Sequence, residues 1–232
     1  MEKIEPKHRF YNNVVKRTLD IILSVLFLLL FFWLYAILAI LVRINLGAPV
    51  LFVHERPGRI DPKTGKEKLF GLIKFRSMTN EKDENGVLLP SAQRMTKFGR
   101  ILRATSLDEL PEVWNILKGD MSFVGPRPWN KKALAYYTPE EHRRHAVRPG
   151  LTGLAQVNGR NAASWDKRFE YDLYYVKNVS FGLDLKILFK TVAKVFKHED
   201  IIEAGKQELF WDFREKQWAD GTVPRSENKD EA

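Results

Sequence analysis

The longest apolar stretch of the chain lies near its N-terminus. Residues 21–42 are apolar apart from Ser24 and Tyr35. As an α-helix this stretch is about 33 Å long, which is enough to cross a hydrocarbon core of about 30 Å. The turn-forming segment 45–49 then ends the helix. The pattern therefore predicts an N-terminal segment, residues 1–48, that carries one membrane helix.

Two orientations of this helix are open. Its length permits it to span the bilayer. Basic residues flank it on both sides, however, and the positive-inside rule places such flanks on the cytoplasmic face. The flanking residues are Lys3, Lys7, Arg9, Lys16 and Arg17 before the helix and Arg43, Arg56, Arg59, Lys63 and Lys66 after it. We therefore expect a re-entrant helix, which enters and leaves the same leaflet.

The elements that follow are predicted to be a β-hairpin and a basic helix. Residues 50–53 and 69–75 are short β-rich runs, and the loop of residues 56–66 between them favours a hairpin. Residues 94–103 combine basic and apolar positions at helical spacing. We expect that helix to bring Arg103 close to an acidic pair that follows it in the chain.

Two patterns predict helix starts in the second half of the chain. Thr138 and Glu141 form a capping-box motif. His142 and His145 follow on that helix, and we interpret them as surface residues because no third metal ligand lies nearby. Ser164 is expected to cap a longer helix.

Residues 181–196 form a second apolar stretch, and two partners are open for it. Such a helix can lie in the headgroup layer of a membrane, and packing on the protein's own core explains the same apolar stripe. The apolar positions are Leu185, Leu188, Val192, Val195 and Phe196, and the basic positions are Lys186, Lys190, Lys194 and Lys197. Residues 203–232 are predicted to be a polar, loosely ordered tail.

The strongest candidate for chemistry is the acidic pair Asp108-Glu109. It stands at the entrance of an amphipathic helix, which begins either at Ser106 or at Pro111. If Ser106 is the helix cap, Glu109 completes a capping box and both acids only stabilise the helix. A catalytic interpretation needs a cation, because two carboxylates repel phosphate. Mg²⁺ bound by Asp108 and Glu109 meets that requirement.

Composition narrows the classes of function. The chain has 232 residues and no cysteine, which excludes disulfides, thiol nucleophiles and cysteine-ligated zinc. Its net charge of +9 indicates an anionic partner, such as a lipid headgroup, a nucleotide or a nucleic acid. We predict an α+β, mostly helical fold, in which the membrane helix precedes a cytosolic catalytic domain, residues 49–202. That domain would contain the small β-hairpin and interfacial amphipathic helices.

Several basic residues stand where they could meet phosphate. Lys74 ends the second strand, and Arg127 lies between two prolines that restrict its backbone. Arg148 and Arg160 lie in glycine-rich segments, where backbone amides can approach an anion. Each pattern is equally typical of a structural turn or of a solvated strand end.

Seven short motifs in order resemble the bacterial monotopic phosphoglycosyl transferases, and the single apolar segment resembles their small members. Each motif alone is weakly specific, whereas the ordered set is highly specific. The motifs are Lys16-Arg17-Thr18-Leu19-Asp20, Arg56-Pro57-Gly58, Lys74-Phe75-Arg76-Ser77-Met78, Ser106-Leu107-Asp108-Glu109-Leu110, residues 118–128, residues 148–153 and residues 156–160. The chain departs from the small members in one respect, since Phe32-Trp33 stands where they break the membrane helix with Ser-Pro.

The resemblance implies an enzyme that transfers a sugar-1-phosphate from a UDP-sugar to polyprenyl phosphate and releases UMP. It implies that Asp108 is the nucleophile, through a phosphosugar-aspartyl intermediate, and that Glu109 binds Mg²⁺ or handles a proton. The candidates for neutralising phosphate charge are Lys74, Arg103, Arg127, Arg148 and Arg160. The implied partners are the UDP-sugar, polyprenyl phosphate and the lipid bilayer of a bacterial cytoplasmic membrane. The sequence does not decide whether the protein forms a homodimer, and no nucleic-acid partner is expected.

Two other classes of function stay open. The charge allows a membrane-anchored nucleic-acid-binding protein, although its arginines lie close to carboxylates that would repel a nucleic-acid backbone. A membrane scaffold without catalysis is the other class, and the intact Asp108-Glu109 pair argues against it. No motif decides between a UDP-hexose and an N-acetylated UDP-sugar.

Overall fold

The computed structural model describes residues 8–159, 164–197 and 208–224. The α-helices are α1 (Lys16–Leu46), α2 (Ser91–Arg94), α3 (Lys97–Ala104), α4 (Glu112–Lys118), α5 (Leu154–Val157), α6 (Trp165–Asn178), α7 (Phe181–Lys197) and α8 (Phe210–Ala219). The strands are β1 (Leu51–Ile60), β2 (Glu67–Phe75), β3 (Ser122–Val124) and β4 (Gly150–Thr152). They form two small sheets, β1-β2 and β3-β4. The predicted fold class, a mostly helical α+β protein with a long apolar N-terminal helix, is confirmed.

Helix α1 is longer than the apolar stretch that predicted it. A π-helical turn, Tyr11–Val15, leads directly into it, and the combined helix Tyr11–Leu46 is long and apolar enough to cross a membrane. The helix continues through Phe32-Trp33 without interruption. It ends before Gly47, which has a φ of +79° and whose N–H donates to the Arg43 carbonyl at 3.1 Å. A glycine suits this position because it adopts positive φ without a side-chain clash.

The chain divides into two compact units that are interleaved in sequence. The first unit consists of the described parts of Met1–Asp20, Glu55–Phe70 and Gly119–Ala232, and the second of Ile21–His54 and Gly71–Lys118. The border therefore falls within α1 and within the β1-β2 hairpin. The predicted division into a membrane segment, a catalytic domain and a tail stays a prediction.

In the second unit, the C-terminal half of α1 packs on β2 and α3. Asn115 of α4 joins this helix to β2, because its amide donates to the Gly71 carbonyl at 2.7 Å and accepts from the Ile73 N–H at 3.0 Å. These bonds hold the end of β2 beside the loop that precedes α4. One cluster of buried core residues in this unit consists of Leu38, Val42, Phe75 and Leu102.

The predicted hairpin is confirmed, but its strands are longer than expected. β1 extends to Ile60, so Arg56-Pro57-Gly58 belongs to a strand and not to the loop. Gly58 lies close to the opposite strand, since a Cβ there would be 2.8 Å from the Lys68 carbonyl oxygen. The loop itself is short, because the Asp61 N–H already donates to the Lys66 carbonyl at 2.9 Å.

The basic helix predicted for residues 94–103 is divided in two. Arg94 ends α2, and α3 starts after Thr96. The Thr96 hydroxyl accepts a hydrogen bond from the Gly99 N–H at 3.0 Å, which is the geometry of a helix N-cap. This cap places a helix start inside the predicted helix.

In the first unit, β3 and β4 pair in parallel, with Ser122 opposite Gly150. A Cβ on Gly150 would lie 2.1 Å from the Gly125 nitrogen, so glycine is needed for two backbones to pack this closely. The Gly150 N–H donates to the Pro126 carbonyl at 3.0 Å. The interpretation that backbone amides of this segment face an anion is therefore wrong for Gly150.

Helix α7 distinguishes between the two partners considered for its apolar stripe. Ile187 is buried in the core with Val124. By contrast, Leu185 and Val192 of the predicted stripe are 40 % and 55 % exposed, and Phe189 is 68 % exposed. Leu188 of the same stripe packs against that core, so the core explains part of the stripe. Contact of the exposed side chains with a membrane surface stays a prediction. The side chains of residues 195–197 lie outside the described part of the helix.

The C-terminal segment contains an ordered helix, so the expectation of a loosely ordered tail is wrong for residues 210–219. Phe210 of α8 is 3 % exposed and lies among aromatic rings of the first unit. Arg214 is buried and forms an ion pair with Glu141. The aromatic partners of Phe210 are Trp129, Tyr136, Tyr137, Trp165 and Phe169.

The predicted capping box is confirmed. The Thr138 N–H donates to Glu141 Oε2 at 2.7 Å, and the Glu141 N–H donates to Thr138 Oγ1 at 3.2 Å. The surface assignment of the histidines on this 3₁₀-helix, Glu141–Ala146, is wrong. His145 is 3 % exposed and bonds the Gly58 carbonyl at 3.0 Å, and the partly buried His142 bonds Glu67 at 2.9 Å. Their partners on β1 and β2 are distant in sequence, so local spacing did not reveal them.

Candidate active site

The acidic pair lies on a short 3₁₀-helix, Leu107–Glu109, and not on α4. Ser106 precedes it in the left-handed region, with φ of 57°, and its side chain makes no capping hydrogen bond. Helix α4 begins only at Glu112, after Pro111. The capping-box interpretation of this motif is therefore wrong. The alternative is confirmed in that the pair precedes α4, although it lies on a 3₁₀-turn and not in an irregular loop. A serine with positive φ stores backbone strain of order 1–3 kcal/mol, as is common at functional sites.

Lys74 forms an ion pair with the acidic pair through Glu109. Asp108 is 7 % exposed, and Glu109 lies half-buried beside it. The Lys74 Nζ lies 2.7 Å from Glu109 Oε1 and 3.1 Å from Glu112 Oε1. One ammonium group thus joins the acidic pair to the first turn of α4. The structure thus places Lys74 beside Glu109, and its role toward phosphate stays a prediction.

Arg103 extends from the last turn of α3 toward the acidic pair. Its Nε donates to Ser77 Oγ at 2.8 Å, which orients the guanidinium group. Burial lowers the pKa of Arg103, and the nearby charges of Asp108 and Glu109 act against that shift. The group stays protonated at neutral pH, since an arginine pKa starts above 12. The prediction that the basic helix brings Arg103 to the pair is confirmed.

Among the described residues, the other predicted phosphate ligands belong to a different unit from the acidic pair. Arg127 and Arg148 belong to the first unit, and Arg160 lies outside the described residues. The carbonyl of Arg127 accepts a hydrogen bond from Arg144 Nη2 at 2.7 Å. The side chain of Arg148 donates from Nε to the Gly119 carbonyl at 3.1 Å. A hydrogen bond therefore fixes the backbone of Arg127, whereas for Arg148 a hydrogen bond fixes the side chain.

Two buried groups were missed in the sequence analysis. Glu112 is 1 % exposed and shares Lys74 with the acidic pair; its position four residues after Asp108 was the available signal. Arg144 donates from Nε and Nη2 to Asp172 Oδ2 at 3.0 and 2.7 Å. The guanidinium carbon of Arg144 also lies 4.2 Å from the centre of a Trp129 ring. No sequence pattern connects Arg144 to partners so distant along the chain.

The acidic pair fits Mg²⁺ by the chemistry of its donors. In the ranges that the structure describes, no group of three or more histidine, aspartate or glutamate side chains is placed to hold a metal ion. Mg²⁺ usually takes only one or two protein carboxylates and completes its shell with water and substrate phosphate. Asp108 and Glu109 offer such oxygens. A metal site at these two residues stays a prediction.

A family model described as bacterial sugar transferase matches residues 11–198. The match covers α1, the acidic pair and all the predicted phosphate ligands, and it ends before α8. The chain belongs to the bacterial sugar transferase family, and the resemblance found from its motifs is confirmed.

Individual relatives are similar over most of this chain. It is 54% identical over 160 residues to the uncharacterized sugar transferase EpsL of Bacillus subtilis (strain 168), covering 69% of this chain and 76% of the relative. It is 42% identical over 200 residues to a UDP-glucose:undecaprenyl-phosphate glucose-1-phosphate transferase of Klebsiella pneumoniae, covering 80% and 41%. It is 36% identical over 189 residues to a UDP-N-acetylgalactosamine-undecaprenyl-phosphate N-acetylgalactosaminephosphotransferase of Aeromonas hydrophila, covering 78% and 43%. The chain thus spans less than half of the last two relatives.

Proposed function

We propose that the protein transfers a sugar-1-phosphate from a UDP-sugar to polyprenyl phosphate, as the first membrane step of glycoconjugate assembly. The observation that carries this proposal is the acidic pair on its strained turn, with Lys74 and Arg103 beside it. Membership of the family and the printed names of the relatives from Klebsiella pneumoniae and Aeromonas hydrophila support the reaction class.

Asp108 is the nucleophile in this proposal. Its carboxylate oxygen attacks the sugar-bearing phosphorus of the UDP-sugar, and the bond from that phosphorus to UMP breaks. A phosphosugar-aspartyl intermediate forms, which divides one displacement into two. A phosphate oxygen of the polyprenyl phosphate then attacks the same phosphorus and releases the Asp108 carboxylate. Its low exposure reduces hydration of the nucleophile.

The residues around Asp108 neutralise charge on the transferred phosphate. Lys74 already contacts the pair, and Arg103 is oriented toward it by Ser77. Phosphoryl transfer depends mainly on this kind of electrostatic stabilisation. We assign Glu109 to hold Mg²⁺ together with Asp108, or to handle a proton. When bound, Mg²⁺ would supply positive charge to the phosphate oxygens.

Arg127, Arg148 and Arg160 are the further phosphate ligands in this proposal. Arg127 has the strongest support, because Arg144 fixes its carbonyl and the flanking prolines restrict its backbone. An ordered backbone reduces the entropy lost when a guanidinium group binds a phosphate in a bidentate manner.

The helix α1 is proposed to be re-entrant, with both ends on the cytoplasmic side. Its N-terminal end contacts residues late in the chain: Lys16 Nζ lies 2.5 Å from Asp184 Oδ2, and Asp20 Oδ1 accepts from the Phe123 N–H at 3.1 Å. Among the described residues, no second helix that could span a membrane separates these partners from the C-terminal end of α1. These contacts support the proposal that both ends face the same side. Because the helix has no break, it would lie obliquely within one leaflet.

Charge and the surface of α7 support a location on the inner face of the bacterial cytoplasmic membrane. Arg9 and Arg17 precede the apolar part of α1 and Arg43 follows it, as the positive-inside rule requires of two cytoplasmic flanks. Lys3 and Lys7 lie outside the described residues. The exposed apolar side chains of α7, with lysines beside them, suit the headgroup layer.

A single-cysteine experiment tests this topology, because the chain has no native cysteine. A cysteine is placed at Glu5, and intact cells are treated with a membrane-impermeant thiol reagent. We expect protection until the cells are lysed. A cysteine at the exposed Lys216, on the catalytic side, is the matched control and should be protected in the same way. Labelling of the Glu5 position alone in intact cells would show a spanning helix.

The covalent intermediate tests the reaction. Wild-type protein given a UDP-sugar without acceptor should gain one phosphosugar in intact mass and release UMP. Asp108→Asn should do neither while remaining folded. A screen of UDP-hexoses and N-acetylated UDP-sugars, with undecaprenyl phosphate as acceptor, then identifies the donor. An Asp108→Asn protein with wild-type activity would refute the assignment of the nucleophile.

A further inference from the structure

Arginines from three separate parts of the sequence meet in the first unit, at the N-terminal end of α1. Arg17 lies in the first turn of α1, Arg59 near the end of β1, and Arg148 shortly before β4. The Arg148 Nε donates to the Gly119 carbonyl at 3.1 Å. The guanidinium group of Arg17 lies against the same glycine, since a Cβ there would be 3.2 Å from Arg17 Nη2. Two guanidinium groups therefore converge on one residue.

Gly119 leaves room for this convergence. Its φ of +94° is unfavourable for a residue with a side chain, and any Cβ would press on the Arg17 guanidinium group. Arg59 Nη1 donates to Asn13 Oδ1 at 2.8 Å, which holds Arg59 beside the π-helical turn that leads into α1. Arg148 and Arg59 are thus oriented by a backbone and an amide oxygen, and the guanidinium group of Arg17 lies against Gly119.

The cluster concentrates positive charge in a partly desolvated place. Burial lowers the pKa of Arg148, and the charges of Arg59 and Arg17 lower it further. Burial also lowers the pKa of Arg59, with a smaller contribution from the charge of Arg9. Asp20 acts in the opposite direction on Arg148, but its Oδ1 already accepts hydrogen bonds from Ser122 and Phe123. An arrangement of like charges at this density is stabilised by binding an anion.

The position of the cluster indicates the kind of anion. Arg17 lies one turn before the exposed apolar side chains Ile21 and Ile22 of α1, so it stands where an apolar helix meets the headgroup layer. Arginine forks match the oxygens of phosphate in a bidentate manner. A phosphate carried by a lipid is available at this depth.

We propose that Arg17, Arg59 and Arg148 form a binding site for the phosphate group of a lipid at the membrane surface beside α1. The inference rests on the proposed function only in placing this end of α1 at the cytoplasmic membrane surface. Two lipids supply the same chemistry, namely an anionic phospholipid of the bilayer and the polyprenyl phosphate acceptor. The site assigns Arg148 to the lipid and not to the nucleotide part of the donor.

Lipid binding is measured on the full chain in detergent micelles by native mass spectrometry. The probes are phosphatidylglycerol, undecaprenyl phosphate and diacylglycerol, which lacks phosphate. Arg59→Gln should weaken binding of at least one phosphate lipid about tenfold, the scale of one charge-assisted hydrogen bond. Arg143→Gln is the matched control, because Arg143 is paired with Glu140 at 2.7 Å outside the cluster, and it should bind like wild type.

The two lipid sources give different results. Loss of phosphatidylglycerol binding alone identifies the bilayer lipid, whereas loss of undecaprenyl phosphate binding with a raised KM for the acceptor identifies the substrate. Diacylglycerol binding should be unchanged in both cases. Unchanged binding of both phosphate lipids in Arg59→Gln, or a raised KM for the UDP-sugar alone, overturns the proposal.

Further variants separate folding and catalysis from lipid binding. Arg17→Gln provides a second measurement at another position of the cluster, and unfolding temperatures of all variants are compared with wild type. Asp108→Asn, which cannot turn over by the proposed mechanism, should bind both lipids like wild type. If Asp108→Asn retains full activity while Arg59→Gln loses lipid binding, the mechanism fails and the lipid site stands.

Discussion

Two regions of the molecule place carboxylates beside cations, and their surroundings differ. In the second unit, Asp108 and Glu109 lie on a short 3₁₀-turn after a serine with positive φ, and Lys74 forms an ion pair with Glu109. In the first unit, Asp172 is 2 % exposed and accepts two hydrogen bonds from Arg144. Arg144 in turn is enclosed by aromatic rings and lies at 2 % exposure.

The comparison distinguishes a structural ion pair from a reactive one. In the Arg144–Asp172 pair the guanidinium group is committed to Asp172, to Tyr137 and to the carbonyl of Arg127, so no substrate can replace these partners. A lysine that touches two carboxylates can be recruited by an arriving phosphate, because its ammonium group carries three donors on a flexible stem. In the proposed mechanism, Lys74 can therefore exchange a carboxylate partner for a substrate phosphate, which Arg144 cannot do.

The largest expected effect is the loss of turnover in Asp108→Asn. Removing a nucleophile should lower the rate of UMP release at least about 10³-fold, as for other covalent catalysts. Stability should change by less than about 1 kcal/mol, since no capping hydrogen bond depends on this motif. Steady-state UMP release and thermal unfolding in the same detergent measure the two quantities. A large loss of stability in Asp108→Asn would show that Asp108, like Asp172, mainly stabilises the fold.

Asp172→Asn should show the opposite behaviour. It leaves the buried Arg144 without its counter-charge, which costs about 3–5 kcal/mol. Denaturant unfolding measures this loss, and the molecules that remain folded should still form the phosphosugar adduct. Unchanged stability together with lost adduct formation would contradict the structural assignment.

Glu109→Gln and Glu141→Gln compare a motif that only resembles a capping box with one that forms it. Glu109→Gln should lower turnover about 100-fold, because the proposed metal and proton role is lost, with little change in stability. Glu141→Gln removes the charge that pairs with the buried Arg214, so it should lower the unfolding temperature. UMP release and thermal unfolding of both variants decide the comparison. If Glu109→Gln and Glu141→Gln lost the same amount of activity, the distinction between a catalytic and a structural glutamate would fail.

The smallest effect concerns pH. Burial lowers the pKa of His145 from 6.5 to about 3, so the folded state binds fewer protons than the unfolded state. Stability is therefore complete above the unfolded value of 6.5 and falls as the pH decreases below it, by up to about 1.4 kcal/mol per pH unit. Between pH 6.5 and 5, Glu67 adds little, because its lowered pKa affects stability only near and below its ordinary value of 4.5.

Thermal unfolding at pH 7.5 and pH 5.5 measures this dependence. In His145→Asn, which does not titrate, the difference between the two temperatures should shrink relative to wild type. An unchanged difference would assign the pH dependence to other groups.

Much of the fold was predictable because its signals are local. The apolar run of α1, the Thr138–Glu141 capping box and the Ser164 cap act within a few residues of the element that they define. The same holds for the β-hairpin, whose turn residues are close in sequence. Element ends were predicted less well, since β1 and α1 both extend beyond their predicted limits.

The candidate site was predictable in part. The motifs identified Asp108, Glu109, Lys74 and Arg103, and the structure brings these residues together. Glu112 was missed because an acid on a helical turn is typical of solvent-exposed positions. No local sequence pattern predicts that Arg144 bonds the backbone of Arg127. That contact is made only when the 3₁₀-helix Glu141–Ala146 packs against α6.

The sequence by itself determined the family, the acidic pair and the long apolar helix, since these depend on residue identity and on spacing along the chain. Only the tertiary structure decided that Ser106 does not cap a helix, that His145 is buried and that α8 packs on the first unit. Burial and partner choice follow from which surfaces meet after folding. Those contacts join positions far apart in the chain, and no local pattern encodes them.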